Sequence, residues 1–161
     1  MIRAYQSLQY NWFPKGHQRK IPTYGRHQGA KIFGVLNYET GEILYRDGER
    51  YDAPAFIQFL DTVLQAYPTG KIVMILDNGK IHHAKQVQVY LQQHSRLDFV
   101  FLPKYSPELN LVEGLWKWLK SDVVHNVFYK KFYHIRLNIA AFMRRVNIHR
   151  METIDRLCIR L

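Results

Sequence analysis

A chain of 161 residues with 47% hydrophobic and 14% aromatic content suits one globular domain with a sizeable core and excludes a disordered or low-complexity protein. The single cysteine, Cys158, excludes an intramolecular disulfide framework and fits a reducing cytosol; with no signal-peptide layout and no apolar run near the ~20 residues that span a bilayer, a soluble cytoplasmic protein that engages no membrane is expected. The formal charge of +10 favours a polyanionic partner and is unevenly placed: residues 1–38 carry six Lys/Arg and no acid, residues 39–113 seven against ten acids, and residues 114–161 ten against three.

Residues 1–31 show no sustained period, and Pro14-Lys15-Gly16 and Pro22 punctuate them, which predicts short extended pieces and loops. Tyr5, Tyr10, Trp12, Phe13 and Tyr24 interleave with the basic residues there. That pattern suits phosphate contacts beside rings packed on bases or sugars; a solvated basic face with its aromatics in the core fits the same residues. Gly29 to Tyr38 and Glu42 to Arg46 read as strands joined at Thr40-Gly41 into a hairpin. Asp52 then suits an N-cap with Pro54 in the first turn, and Phe56, Phe59, Leu60, Val63, Leu64 and Tyr67 recur at helical spacing until Pro68-Thr69-Gly70.

Ile72-Val73-Met74-Ile75-Leu76 is continuously apolar, as expected of a strand buried on both faces. Asp77 falls at its carboxyl end, where open α/β sheets collect ligands, and Asn78-Gly79 supplies the turn out. Val87, Tyr90, Leu91 and His94 mark a second helix, and Leu97 to Leu102 a further strand. A strand, helix and strand in this length form a crossover unit, so the two strands should be parallel. Lys104 to Asn110 reads as a loop into a third helix whose apolar stripe is Val112, Leu115, Trp116, Leu119 and Val123, with Glu113 in the first turn. Glu113, Lys117 and Lys120 share the adjacent stripe. The last long helix, roughly Tyr129 to Ile148, buries Phe132, Ile135, Ile139, Phe142 and Val146 and turns Lys130, Lys131, Arg144 and Arg145 elsewhere.

Asp77 and Glu113 matter as a pair, because a divalent ion that clamps phosphate needs hard oxygen ligands drawn from separate elements and left partly open. Each also has a plainer role. Asp77 suits a turn residue that accepts from nearby amides, and Asn110-x-x-Glu113 before an apolar run has capping-box spacing. His82-His83 lacks the partner spacings of a zinc site; His82 fits a residue that supports the acids or faces phosphate, or a plain helix-entry histidine. Asn78 orients Asp77 or DNA, or only shapes the turn. Lys117 and Lys120 seek phosphate or merely solvate the helix.

Asp77-Asn78 after an apolar strand, His82 shortly after, and then Ser106-Pro107-x-Leu109-Asn110-x-x-Glu113-x-x-Trp116 resemble the catalytic core of DDE transposases of the mariner-like and related bacterial insertion-sequence branch. More loosely, the likeness extends from Trp12-Phe13-Pro14-Lys15-Gly16 to the helix after Glu113. The resemblance implies one α/β domain over residues 1–161: a ribonuclease H-like mixed sheet flanked by helices. It implies cleavage of DNA and strand transfer, with element ends and target DNA as partners. Asp77 and Glu113 would ligate two Mg²⁺ or Mn²⁺ ions, while Asn78, His82, Lys104, Lys117 and Lys120 would support those ligands or face DNA. The family's first catalytic Asp has no counterpart, since no acid precedes Glu39. A truncated chain lacking a central first strand is therefore expected, deficient in strand transfer and prone to associate with itself or with a full-length transposase. A non-catalytic basic nucleic-acid-binding remnant and a regulatory partner of a complete transposase are the competing expectations.

Overall fold

The computed structural model describes residues 2–3, 8–10, 12–17, 20–22, 28–104, 106 and 109–157. Its elements run β1 (Ile2–Arg3), β2 (Gly29–Leu36), β3 (Ile43–Gly48), α1 (Ala53–Ala66), β4 (Ile72–Leu76), α2 (Lys85–Gln93), β5 (Leu97–Phe101), α3 (Leu111–Val123), α4 (Phe132–Ile148) and α5 (Arg150–Leu157). Among the described residues the strands form a three-stranded sheet in the order β1-β2-β3 and a parallel pair β4-β5. The chain groups into two compact units: residues 31–36 and 44–114 in one, and residues 1–30, 37–43 and 115–161 in the other.

In the first unit the expected crossover is present. Ile72 pairs with Leu97 and Leu76 with Phe101 in parallel register, and α2 lies between the two strands in sequence. Helix α1 starts where the local chemistry dictates: the Asp52 carboxylate accepts from Ala55 N at 3.0 Å, and a proline occupies the first turn. Its apolar stripe drives the packing. Phe56, Phe59, Leu60 and Val63 are buried with Phe33, Met74, Val87 and Leu97 in one cluster. Burying each such side chain contributes roughly 1.5–3 kcal/mol, so this cluster fixes α1 and α2 on one face of β4 and β5. The Tyr90 hydroxyl donates to Asp61 and joins the two helices; burial, with Asp61 second, raises that phenol's pKa.

The strand expected to be buried on both faces is buried on one. Met74 is inside, whereas Val73 and Ile75 are 55% and 62% exposed, and Val100 beside them on β5 is 50% exposed. The apolar cluster satisfies one side of the pleat only. A run of five apolar residues does not distinguish that arrangement from two-sided burial.

In the second unit the Asn37 side chain accepts from Glu39 N and Thr40 N to shape the hairpin turn. Gly41 has φ +70°, and a Cβ there would lie 2.6 Å from the Arg150 carbonyl oxygen, so the turn requires glycine. Asn147 on α4 uses both ends of its amide on Ile43, accepting from N at 2.7 Å and donating to O at 2.9 Å. Helix α4 begins at Phe132 rather than near Tyr129 and buries Ile135, Ile139, Phe142 and Val146 as expected, and Met143 besides, while Phe132, expected in that stripe, is only half-buried in the first turn. Helix α5 was not foreseen. It is short and polar, and Thr153 anchors it by donating to the carbonyls of Val146 and His149. The expectations that fall on Tyr5, Tyr24, Tyr105, Pro107, Glu108 and Cys158 lie outside the described residues.

One-sided burial of β4 predicts opposite outcomes at adjacent positions. Met74→Ala should cost about 2–5 kcal/mol in urea unfolding, while Ile75→Thr should stay within about 0.5 kcal/mol. A large loss at Ile75 would show that its face is covered in the folded protein.

Candidate active site

Asp77 stands directly after β4, and Glu113 is the third residue of α3. Both line one cleft of about 500 Å³, together with Asn78, Lys80, Leu102, Pro103, Lys104, Ser106 and Asn110. All nine belong to the first unit. The acidic pair expected from the sequence is thus drawn to one place by the parallel exits of β4 and β5.

Asp77 is held from two directions. Gly79 N donates to its Oδ1 at 3.0 Å, the local turn contact that sequence reasoning allowed. His82 Nδ1 lies 3.2 Å from the same Oδ1 and 3.1 Å from the Asp77 carbonyl oxygen. Both atoms are acceptors, so Nδ1 carries the proton and donates. The His82 ring is only 7% exposed and packs on Phe56 with centroids 4.7 Å apart, so this donor is fixed by the core. Among the described residues both contacts to the carboxylate fall on Oδ1. Gly79 leaves room for the arrangement: a Cβ there would lie 2.9 Å from Asp77 Oδ1 and 3.4 Å from the imidazole.

Asn78 lines the cleft and also bridges the two strands. Its Nδ2 donates to the Leu102 carbonyl, and its Oδ1 accepts from His83 Nε2 at 3.3 Å, so it ties the exit of β4 to that of β5. His83 stacks on Phe101 at 4.3 Å and completes the clamp. The sequence singled out His82 as a residue that supports the acids or faces phosphate and assigned nothing to His83. Their different jobs follow from successive residues facing different neighbours.

The expected capping box is only half formed. Asn110 Oδ1 accepts from Val112 N at 3.3 Å, while its carbonyl accepts from Glu113 N at 2.9 Å. The cap is therefore made by Asn110, and the Glu113 side chain lines the cleft. A carboxylate in the first turn also sits favourably at the positive end of the helix dipole.

Lys104 lines the cleft as expected, and Lys80, which the sequence reading missed, lines it too. Lys80 had a signal, since it stands in the turn that Asn78-Gly79 opens. Lys117 and Lys120 lie further along α3 and are not among the lining residues; Lys120 instead acts on His125, whose pKa is lowered by burial first and by that lysine second. Tyr51, before the α1 cap, was also missed. Its phenol pKa is raised, chiefly by burial and then by Asp77 and Glu113. Among the described residues no three His, Cys, Asp or Glu side chains gather as a ready-made cation cage, so the acids available are this pair. No helix among the described residues is long and apolar enough to cross a membrane.

The family profile described as DDE superfamily endonuclease matches residues 1–136. A Shigella sonnei protein described as "Insertion element IS630 uncharacterized 39 kDa protein" is 27% identical over 138 residues, which are 85% of this chain and 40% of that protein. Among solved structures, the Mos1 transposase paired-end complex with left transposon end aligns with a TM-score of 0.61 at 11% identity, over 96% of this chain and 52% of that one. The Mos1 mariner paired end complex with Mn gives 0.62 at 10% identity over the same shares. At these identities the likeness is one of fold, and it carries the mixed α/β, ribonuclease H-like architecture expected from the sequence. The chain spans less than half the length of the insertion-element relative and about half that of the Mos1 chains.

Gly79→Ala should leave stability nearly unchanged, because Gly79 is not among the glycines with positive φ, yet its Cβ should turn the Asp77 carboxylate away from His82. Calorimetric titration with Mn²⁺ should then show affinity reduced about tenfold or more, as for other changes to the groups that orient a ligand. Unchanged affinity would mean that Asp77 needs no such support.

Proposed function

The chain belongs to the DDE superfamily of endonucleases, and from that membership we propose that its cleft is the catalytic site of a DNA transposase, which cuts phosphodiester bonds at element ends and joins the freed 3′-hydroxyl to target DNA. The observation that carries this reading is the convergence of Asp77 and Glu113, from two separate elements, on a cleft rimmed by Lys80 and Lys104.

The donor set fits a divalent metal. Two carboxylates beside the neutral oxygens of Ser106 and Asn110 are hard ligands, and Mg²⁺ in phosphoryl sites takes one or two carboxylates and completes its shell with water and phosphate. Asp77 and Glu113 would hold the Mg²⁺ or Mn²⁺ ions, two in this proposal, which when bound polarise the phosphate and lower the pKa of the attacking water or hydroxyl. The chain's own residues do the rest. His82 and Gly79 hold Asp77 Oδ1 so that the carboxylate is oriented before substrate arrives. Asn78 keeps the two strand exits together. Lys80 and Lys104 supply positive charge at the rim, which draws the phosphate backbone toward carboxylates that would otherwise repel it. The basic segments on either side of the acidic middle supply sequence-independent DNA affinity. Pairing with a second copy or with a longer transposase belongs to this proposal as well.

Metal binding tests the pair directly. Mn²⁺ should bind the parent chain, and Asp77→Asn and Glu113→Gln should each weaken it by at least about tenfold. Because Asn110 carries the cap, Glu113→Gln should cost no more in urea unfolding than the roughly 0.3–1 kcal/mol of its helix-dipole contribution. A Glu113→Gln chain that binds Mn²⁺ like the parent would leave Glu113 outside the site.

DNA affinity should fall steeply with salt. About three phosphate contacts already imply a drop of roughly 40-fold over a fourfold rise in salt, readable by fluorescence anisotropy with a labelled duplex. Salt-independent binding, or none at low salt, would remove DNA as the partner.

A further inference from the structure

Tyr51 has an unusual setting for an exposed aromatic residue. Its ring lies flat on Phe33, with centroids 4.6 Å apart and planes 4° from parallel. Phe33 is buried and packs in turn on Phe56 and Phe59. One face of the Tyr51 ring is therefore covered by a core residue, yet the residue remains 53% exposed. In a parallel stack the covered face is spent, so the exposure belongs to the opposite face and the rim of the ring. The backbone is fixed next door, where Asp52 caps α1.

Continuous contacts connect the ring to the wall that supports Asp77. Tyr51 rests on Phe33, Phe33 lies 5.8 Å from Phe56, Phe56 lies 4.7 Å from His82, and His82 holds Asp77. The same row of rings thus supports Asp77 and presents Tyr51. Both carboxylates of the cleft also act on the Tyr51 phenol, after burial the next causes of its raised pKa, so the phenol stands within electrostatic reach of the pair although Tyr51 is not among the residues that line the cleft.

A rigid, neutral, open aromatic face beside a pair of phosphate-directed carboxylates has a chemical match in nucleic acid. Every base offers a π-face, and stacking on a preordered ring costs little side-chain freedom. A lysine there would attract phosphate but would also pair with Asp77 or Glu113. A neutral ring avoids that competition. We propose that Tyr51 is a base-stacking residue beside the cleft, whose open face stacks on an unpaired nucleobase next to the phosphate held at Asp77 and Glu113. The role rests on the reading of the cleft as a DNA site and adds a preference that the acids alone do not give: strand ends or opened duplex over intact duplex.

The test compares a short single strand carrying one 2-aminopurine with the same sequence as an intact duplex, bound to the full chain and to Tyr51→Phe, Tyr51→Leu and Tyr51→Ala. The parent and Tyr51→Phe should quench 2-aminopurine fluorescence on binding. Tyr51→Ala and Tyr51→Leu should lose the quench and bind the single strand about tenfold more weakly or worse, with duplex affinity changed less than twofold. Tyr51→Leu keeps an apolar cover on Phe33 and carries the comparison if the alanine variant unfolds. Equal quenching by Tyr51→Leu and the parent would overturn the proposal, as would a Tyr51→Phe chain that loses the quench as fully as Tyr51→Ala. If the parent binds Mn²⁺ and duplex DNA but the Tyr51 variants match it on the single strand, only this inference fails. If the parent binds neither metal nor DNA, the reading of the cleft falls and takes the inference with it.

Discussion

The contacts that hold Asp77, a hydrogen bond from the Gly79 amide to Oδ1 and a His82 imidazole set against both Oδ1 and the Asp77 carbonyl, are the constraint on which the site depends. Asp77 leaves a strand whose outer face is half open to solvent, and a carboxylate in that position would ordinarily sample several rotamers. Here the Gly79 amide and the His82 imidazole converge on the same oxygen, and His82 is itself immobilised against Phe56. The chain thus transmits the rigidity of its core, through one buried ring, to a group that must remain accessible. A glycine between them is the geometric condition, since a side chain at position 79 would occupy the space that the carboxylate uses.

The same core organises the surroundings. Phe56 touches His82 on one side and Phe33 on the other, so the packing that supports Asp77 also backs Tyr51. The Asn78 amide closes the opposite side by joining the end of β4 to the residue after β5. Parallel pairing matters because it brings both strand exits to the same edge, where the segment leading to Glu113 begins. An antiparallel pair would send the Leu102 end away from Asp77.

Charge complements this geometry. The chain is strongly basic, yet the segment that forms the cleft carries more acids than bases, and two lysines stand at the cleft rim. A polyanion is attracted by the whole protein and repelled locally by the acids. That local repulsion is what a bound divalent cation would relieve, and under the proposed function it would couple metal and nucleic acid in one site.

Much of this was legible in the sequence. The apolar run before Asp77, the capping residue Asp52, the helical spacing of Phe56, Phe59, Leu60 and Val63, and the order of strand, helix and strand are local patterns, and local sterics and hydrogen bonding set them. The acidic pair was legible because both acids fall in one longer motif, Asp77-Asn78 after an apolar strand and Glu113 in the loop and helix that come later. The rest depended on contacts between residues far apart in the chain. One-sided burial of β4 was hidden, because five apolar residues read alike whether one face or two are covered. Tyr51 carried no periodic signal, Lys80 was marked only by the turn it stands in, and α5 is held by tertiary contacts, among them Thr153 reaching carbonyls of the preceding turn and helix and Arg150 pairing with Glu42. The separate duties of His82 and His83 were decided only by which ring met Phe56 and which met Phe101. Sequence by itself determined which elements form and which acids were available; tertiary structure decided how those acids are held and what stands beside them, because orientation and burial arise from side chains meeting across the core.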